Sequence, residues 1–181
     1  MSTTNKFPGQ GRLDDVEPRW FAVRTRYKSE KMVGRALGKK GIAYFLPIQK
    51  ITKRYSRKIR TYEKPLLNCY AFVKITVADY VPVLETEHVQ GFVRPSKEMM
   101  DISDKELEIL RRISGESIET TAEPGNWEVG ELVEIASGNL AGLRGYVDER
   151  TGKHEFVVNL ETLGHVLKLQ VDAALLRKVE G

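Results

Sequence analysis

The chain has 181 residues, 41% of them hydrophobic, a net charge of +4 and one cysteine, enough apolar content for one moderate core or two small ones. A lone cysteine excludes an intramolecular disulfide, no apolar run is long enough to span a membrane, and the N-terminus lacks a secretory h-region, so a cytoplasmic protein without membrane contact is expected. The modest net charge conceals a separation: residues 19–114 hold 21 Lys and Arg against 10 Asp and Glu, and residues 115–181 hold 6 against 12. A basic unit suits a polyanion and an acidic one is repelled by it, so two units with different partners are expected.

In chain order, residues 1–18 show little apolar periodicity and read as a mobile tail. Trp20 to Arg26 alternates as a strand. Ser29 to Lys40 sets Met32, Val33, Ala36 and Leu37 at helical spacing, and Gly41 ends that helix. Ile42 to Ile51 returns to β character around Pro47, as at a sheet edge. Lys50 to Lys64 carries seven basic residues and one acid with Ile51, Tyr55, Ile59 and Tyr62 interspersed, which predicts a projecting two-stranded ribbon. Leu66 to Ile75 is the most apolar run and predicts a central strand, followed by a helix over 78–87 interrupted near Pro82 and a short strand over 91–95. The order is β-α-β-β-α-β. Ser103-Asp-Lys-Glu106 has the spacing of a capping box and opens a third helix with Leu107, Ile109, Leu110 and Ile113 on one stripe. Residues 115–126 are polar and contain Pro124-Gly125, as a linker does. Residues 127–181 show four or five short β-prone runs separated by turns at Ser137-Gly-Asn139, Thr151-Gly152 and Leu163-Gly164, which predicts a small barrel in an α+β protein. The glycines at 152 and 164 interrupt any helix there, so the barrel is expected to be permanent.

No catalytic constellation is present. His88, His154 and His165 are scattered without spaced companions, so no metal site, cofactor or enzymatic activity is expected. Gly138, Gly142 and Gly145 stand between β runs and read as turn glycines, not as a phosphate loop. Cys69 lies among apolar residues and reads as a packed thiol. The strongest binding signal is Lys53-Arg54-Tyr55-Ser56-Arg57-Lys58-Ile59-Arg60. Alternation is expected to put Arg54, Lys58 and Arg60 on one side, for phosphates, and Tyr55 on the other, for an unpaired base; a solvated basic hairpin is the plainer reading. Arg24, Arg26 and Lys28 add charge at the end of the first strand. In the central strand, Leu67, Cys69, Ala71, Val73 and Ile75 share one parity, while Tyr70 and Phe72 share the other, where they form either a second core or an exposed aromatic pocket.

Trp20-Phe-Ala-Val23, Leu67-Asn-Cys-Tyr-Ala-Phe-Val73, Val89-Gln-Gly-Phe-Val-Arg94, Ile102-Ser-Asp-Lys-Glu-Leu107 and the turn ending at Gly145-Tyr-Val147 together resemble the NusG family of transcription factors. The resemblance implies an N-terminal domain over 19–114 and a KOW domain over 127–181. It also implies a monomeric, non-enzymatic elongation and antitermination factor that binds the RNA polymerase clamp, suppresses pausing and touches non-template DNA. Trp20, Leu67, Tyr70 and Phe72 would then form the polymerase contact, with Asp79 and Tyr80 near the gate loop. Arg24, Arg26, Lys28, Lys53, Arg54, Arg57 and Lys58 are the candidate nucleic-acid contacts. Leu140 and Leu143 flank the turn where the family binds a small-subunit ribosomal protein or Rho; barrel-end packing accounts for them equally well. The family usually carries Phe-Pro-Gly before the strand tyrosine, and Leu67-Asn68-Cys69 replaces it here. That replacement, the ribbon and Phe72 look more like specialised paralogues such as RfaH or the UpxY antiterminators. A ribosome-associated or RNA-binding KOW protein is the alternative, and the acidic balance of residues 115–181 weighs against it.

Overall fold

The structure, a computed structural model, describes residues 13–94, 97–150 and 154–180. In chain order the elements are β1 (Arg19–Thr25), α1 (Glu30–Lys39), β2 (Ala43–Phe45), β3 (Ile48–Tyr55), β4 (Lys58–Pro65), β5 (Tyr70–Ile75), a 3-10 turn over Val77–Asp79, α2 (Tyr80–Leu84) and β6 (Val89–Phe92). They are followed by α3 (Asp104–Ser114), β7 (Thr120–Pro124), β8 (Leu132–Ile135), β9 (Arg144–Asp148), β10 (Glu155–Leu160), β11 (His165–Gln170), a 3-10 turn over Ala173–Leu175 and β12 (Leu176–Lys178). The chain divides into two compact units. One is drawn from residues up to Pro47 with Leu67–Asp104, the other from Ile48–Leu66 with Lys105 onward.

The first unit is a four-stranded antiparallel sheet in the order β2-β5-β1-β6. The odd-numbered residues Phe21 and Val23 of β1 and Ala71, Val73 and Ile75 of β5 form one core with Val33 and Leu37 of α1 and Tyr80 and Val83 of α2. Each such side chain withdrawn from water contributes about 1.5–3 kcal/mol, and this face, not helix propensity, holds the ten-residue α1 in place. Pro82 sits in the first turn of α2, where its missing N–H costs no helical bond, so the proline that was expected to interrupt this helix lies at its start. Pro47 does separate β2 from β3, as its inability to continue a ladder requires.

The second unit pairs β3 with β4 as a ribbon and arranges six antiparallel strands in the order β12-β8-β9-β10-β11-β7. Phe156, Val157, Leu160, Leu167 and Leu169 of β10 and β11 are fully buried. Glu134 of β8 ties its two neighbours together, accepting from Arg177 of β12 at 2.8 Å and from Arg144 of β9 at 3.4 Å. The hydrogen bond from Arg177 is the main reason its carboxyl lies below the ordinary value of 4.5. Because the folded value is depressed, the stabilisation is fully present above 4.5 and is lost as pH falls through the lower folded value. A Glu134→Gln protein is therefore expected to lose less melting temperature than wild type on acidification across that window, read by circular dichroism at stepped pH.

Several expectations need correction. The part of the expected tail over residues 1–12 lies outside the described residues. Residues 13–18 are ordered: Leu13 is buried in the first core, Asp14 accepts from the backbone N–H groups of Val16 and Glu17, and its carbonyl accepts from Val77. The expected linker contains β7, which pairs with β11 along Thr120–Pro124. The strand expected over 91–95 runs instead over Val89–Phe92, and Pro95 is outside the described residues, as are Thr151 and Gly152. By contact the ribbon and the residues of α3 from Lys105 onward group with the C-terminal strands, a grouping distinct from the expected domain bounds of 19–114 and 127–181.

Candidate functional site

In the first unit, the register sets Trp20 opposite Lys74, Ala22 opposite Phe72 and Arg24 opposite Tyr70, so these side chains share the sheet face away from the core of α1 and α2. Arg24 lies 5.5 Å from the Tyr70 ring centroid and donates to the Tyr70 hydroxyl at 3.5 Å, and Phe45 meets Phe72 at 6.1 Å. Sequence parity groups Tyr70 with Phe72, and the register adds Trp20 to their face. Leu67, Tyr70 and Phe72 are 2%, 6% and 0% exposed, so in this structure they form a covered face, not an open pocket. Tyr80 is elsewhere: it belongs to the core of α1 and α2, stacks on Phe92 at 5.1 Å and accepts from Arg94. Asp79 caps the turn before α2, accepting from the Thr76 N–H and hydroxyl.

The turn leading into β5 holds Cys69 at a φ of 65°. Its N–H donates to the buried Glu30 carboxylate at 2.8 Å and its carbonyl accepts from Thr25 at 2.9 Å. The left-handed backbone that a glycine adopts freely is therefore kept here by a residue with a Cβ, at a cost of about 1–2 kcal/mol. Glycine restores part of that and gives up about 0.5–1 kcal/mol in chain entropy. Cys69→Gly is expected to raise the melting temperature slightly and Cys69→Val, branched at Cβ, to lower it, both read by thermal denaturation.

Arg26 and Lys28 are exposed beyond β1, with Lys28 at a φ of 59° and its ammonium 5.4 Å from the ring of exposed Tyr27. With Arg24 they belong to the first unit; Lys53, Arg54, Arg57 and Lys58 belong to the second.

The ribbon corrects the expected face assignment. A two-residue turn, Ser56-Arg57, pairs Tyr55 with Lys58, Arg54 with Ile59, Lys53 with Arg60 and Ile51 with Tyr62. Directly opposed residues share a face, so Lys53, Tyr55, Lys58, Arg60 and Tyr62 stand together, and Arg54 lies on the reverse face with Ile59, Thr52 and Thr61. The ammonium of Lys53 is 5.9 Å from the Tyr62 ring, and attraction by the ionised Tyr62 phenolate, then by Glu119, raises its pKa. Every residue from Thr52 to Glu63 is exposed. The base is anchored by a residue that sequence reasoning missed. Gln49, 0% exposed, directs its side-chain amide N–H groups at the carbonyls of Ile113 (3.1 Å), Glu116 (3.1 Å) and Ile118 (3.0 Å) and at the Thr120 hydroxyl (3.3 Å). Lys64 donates to the Thr120 carbonyl at 2.9 Å and the Thr52 N–H to Ser117 at 3.2 Å.

At the turn between β8 and β9, Leu140 and Leu143 are 4% and 5% exposed, which places them as packing residues, while Ser137, Gly138, Asn139 and Ala141 form its surface. Arg112 of α3 donates to the carbonyls of Asn139 (3.0 Å) and Ala141 (2.6 Å). Glu106, read in the sequence as part of a cap, accepts from the Thr162 N–H (2.9 Å) and hydroxyl (2.5 Å). Among the described residues, no group of three or more His, Cys, Asp or Glu is placed to hold a metal, and no helix is long and apolar enough to cross a membrane.

Comparison with known proteins adds to this geometry. A solved structure described as "Domain interaction in Thermotoga maritima NusG" aligns over 92% of this chain and 99% of its own, with a TM-score of 0.58 and 20% identity, and so shares the mixed fold of a NusG-like N-terminal part and a β-rich C-terminal part. Two structures of the MjSpt4:Spt5 complex, conformations A and B, align over 89% and 90% of the chain and 98% and 97% of their own at 22% identity, with TM-scores of 0.31 and 0.32. The curated proteins give no match. The profile described as "Transcription termination factor nusG" matches residues 18–111, more than half of the chain, across the sheet, the ribbon and α3. The chain belongs to the NusG family of transcription elongation factors, which are not enzymes.

Proposed function

We propose that this chain is a specialised elongation and antitermination factor, closer in kind to RfaH or the UpxY antiterminators than to a housekeeping relative. In this reading it acts as a cytoplasmic monomer that binds the RNA polymerase clamp, suppresses pausing and contacts non-template DNA. The observation that carries the reading is the ribbon, which exposes Lys53, Arg54, Arg57, Lys58 and Arg60 on a buried anchor and without an acidic residue between Lys53 and Arg60. The aromatic face of Trp20, Leu67, Tyr70 and Phe72 is the polymerase contact in this reading. Since Tyr70 and Phe72 are covered here, polymerase engages a state in which they are exposed, and it selects that state by binding it more tightly. Binding one clamp state better than another is then enough to bias pausing. Asp79 and Tyr80 act at most through the turn and core they support. The KOW-like strands recruit a second protein, a small-subunit ribosomal protein or Rho, at the turn held by Leu140 and Leu143.

The test is titration of purified bacterial RNA polymerase with the labelled full chain, wild type and Tyr70→Ala, each checked for an intact melting transition. Saturable binding that weakens about 30-fold in the variant, as on losing an aromatic anchor, is expected. Absence of polymerase binding by the folded wild type would falsify the assignment.

A further inference from the structure

Residues 113–124 lead from the end of α3 through β7, and as a largely polar stretch they have the composition of a spacer. A spacer of that kind lets the elements at its two ends turn independently. Here the stretch is held from both sides within the second unit. The ribbon holds its first part: the buried Gln49 amide donates to the carbonyls of Ile113, Glu116 and Ile118, the Thr52 N–H donates to the Ser117 hydroxyl at 3.2 Å, and the Lys64 ammonium donates to the Thr120 carbonyl at 2.9 Å. The edge of β11 holds its second part: the Gln170 N–H donates to the Glu119 carbonyl at 3.2 Å, Thr120 to Pro124 run opposite Leu169 to His165, and the Gly125 N–H donates to the Gly164 carbonyl at 2.8 Å. Glu123 adds an ion pair with Lys168 at 3.1 Å. Thr120 belongs to both sets. It is 1% exposed, its hydroxyl accepts from Gln49 at 3.3 Å and donates to the Ile118 carbonyl at 2.9 Å, and its backbone lies in register with Leu169. A two-stranded ribbon by itself is marginally stable in water. Its base therefore takes order from the stretch it grips, and that stretch takes order from β11. Turning the ribbon against β11 would require the bonds to the carbonyls of residues 113, 116, 118 and 120 to break together.

We infer that residues 113–124 are a strap that locks the ribbon to the strands β8 to β12 as one rigid body, with Thr120 as its knot. A protein that docks on those strands thereby also fixes the direction of the ribbon. Whatever engages the ribbon orients the docking surface in turn, since a coupling between two sites acts equally in both directions. The limits of the rigid body fall at Ile48, Leu66 and Lys105, and not in the polar stretch where composition alone places a joint.

The experiment is the measurement of backbone N–H residual dipolar couplings on the full chain, aligned in a stretched polyacrylamide gel. In wild type, the amides of β3 and β4 and those of β8 to β11 are expected to fit one alignment tensor of one magnitude. Thr121 lies opposite Lys168, and Thr121→Pro, which cannot donate to the ladder, is expected to release the strap. The ribbon couplings then shrink towards zero, while those of β8 to β11 keep their tensor. If Thr121→Pro costs β8 to β11 their native chemical shifts, Gln49→Leu/Lys64→Met, which cuts the ribbon side and leaves β7 paired, is read in the same way. Wild-type couplings that need two tensors overturn the inference. A variant whose ribbon and strands are both folded and still fit one tensor also overturns it, because some other contact would then hold the ribbon.

Discussion

Gly145→Ala is expected to destabilise the second unit by about 3 kcal/mol or more, seen as a large fall in its denaturation midpoint or as loss of a cooperative transition. Gly145 lies in β9 opposite Val133 of β8. A Cβ there would overlap the backbone oxygen of Val157 and stand 2.9 Å from the Phe156 ring. Neither obstacle can yield cheaply. Val157 is fixed in two ladders, opposite Tyr146 and Lys168, and Phe156 is 0% exposed in the centre of the β10 packing. Overpacking is therefore met by strand displacement, not by a rotamer change. The sequence marks this position only as one of three turn-like glycines. In the structure its role is close approach of strands, a demand that the alternation of neighbouring residues does not reveal.

Gln49→Leu is the second large effect, and it joins fold to function. The substitution is close in volume and removes the donors that reach Ile113, Glu116, Ile118 and Thr120. The carbonyls of Ile113 and Ile118 keep other donors, from the Glu116 N–H and the Thr120 hydroxyl, so the cost is chiefly the lost bonds and the Glu116 carbonyl, together about 3 kcal/mol. The buried Gln49 Oε1 has no hydrogen-bond partner among the described residues, so its removal returns a little. Gln49→Glu is expected to be worse, since a carboxylate would face carbonyl oxygens. Thermal melts give the stability, and amide hydrogen exchange over residues 48–65 reports the ribbon: its protection near the base should fall even under conditions where the strands of β8 to β11 stay folded.

Much of the first unit is legible in the sequence because its signals are periodic. Met32, Val33, Ala36 and Leu37 mark α1, the odd residues of β1 and β5 mark the core face, and Tyr70 and Phe72 fall together on the other, where only the register between β1 and β5 adds Trp20. What escapes is set by partners distant in sequence. Leu13 is a lone apolar residue in a polar stretch, ordered only by the core it enters. Thr120–Pro124 has weak alternation and becomes a strand because β11 offers an edge. Gln49 looks like a surface residue until the segment after α3 surrounds it. The ribbon was misassigned for a geometric reason: parity holds along a single strand, but a two-residue turn pairs odd positions of β3 with even positions of β4. Arg54 therefore parts from Lys58 and Arg60, and Tyr55 joins them. The covering of Tyr70 and Phe72, and the packing of Leu140 and Leu143, are likewise tertiary facts that no local pattern carries.

The most direct test of the account is pause duration in single-round transcription by purified RNA polymerase through a defined pause site, with wild type and with Lys53→Ala/Lys58→Ala/Arg60→Ala at concentrations that saturate polymerase. The account predicts that wild type shortens the pause and that the triple variant, still folded and still bound to polymerase, loses most of that effect. A pause left unchanged by saturating wild type contradicts it.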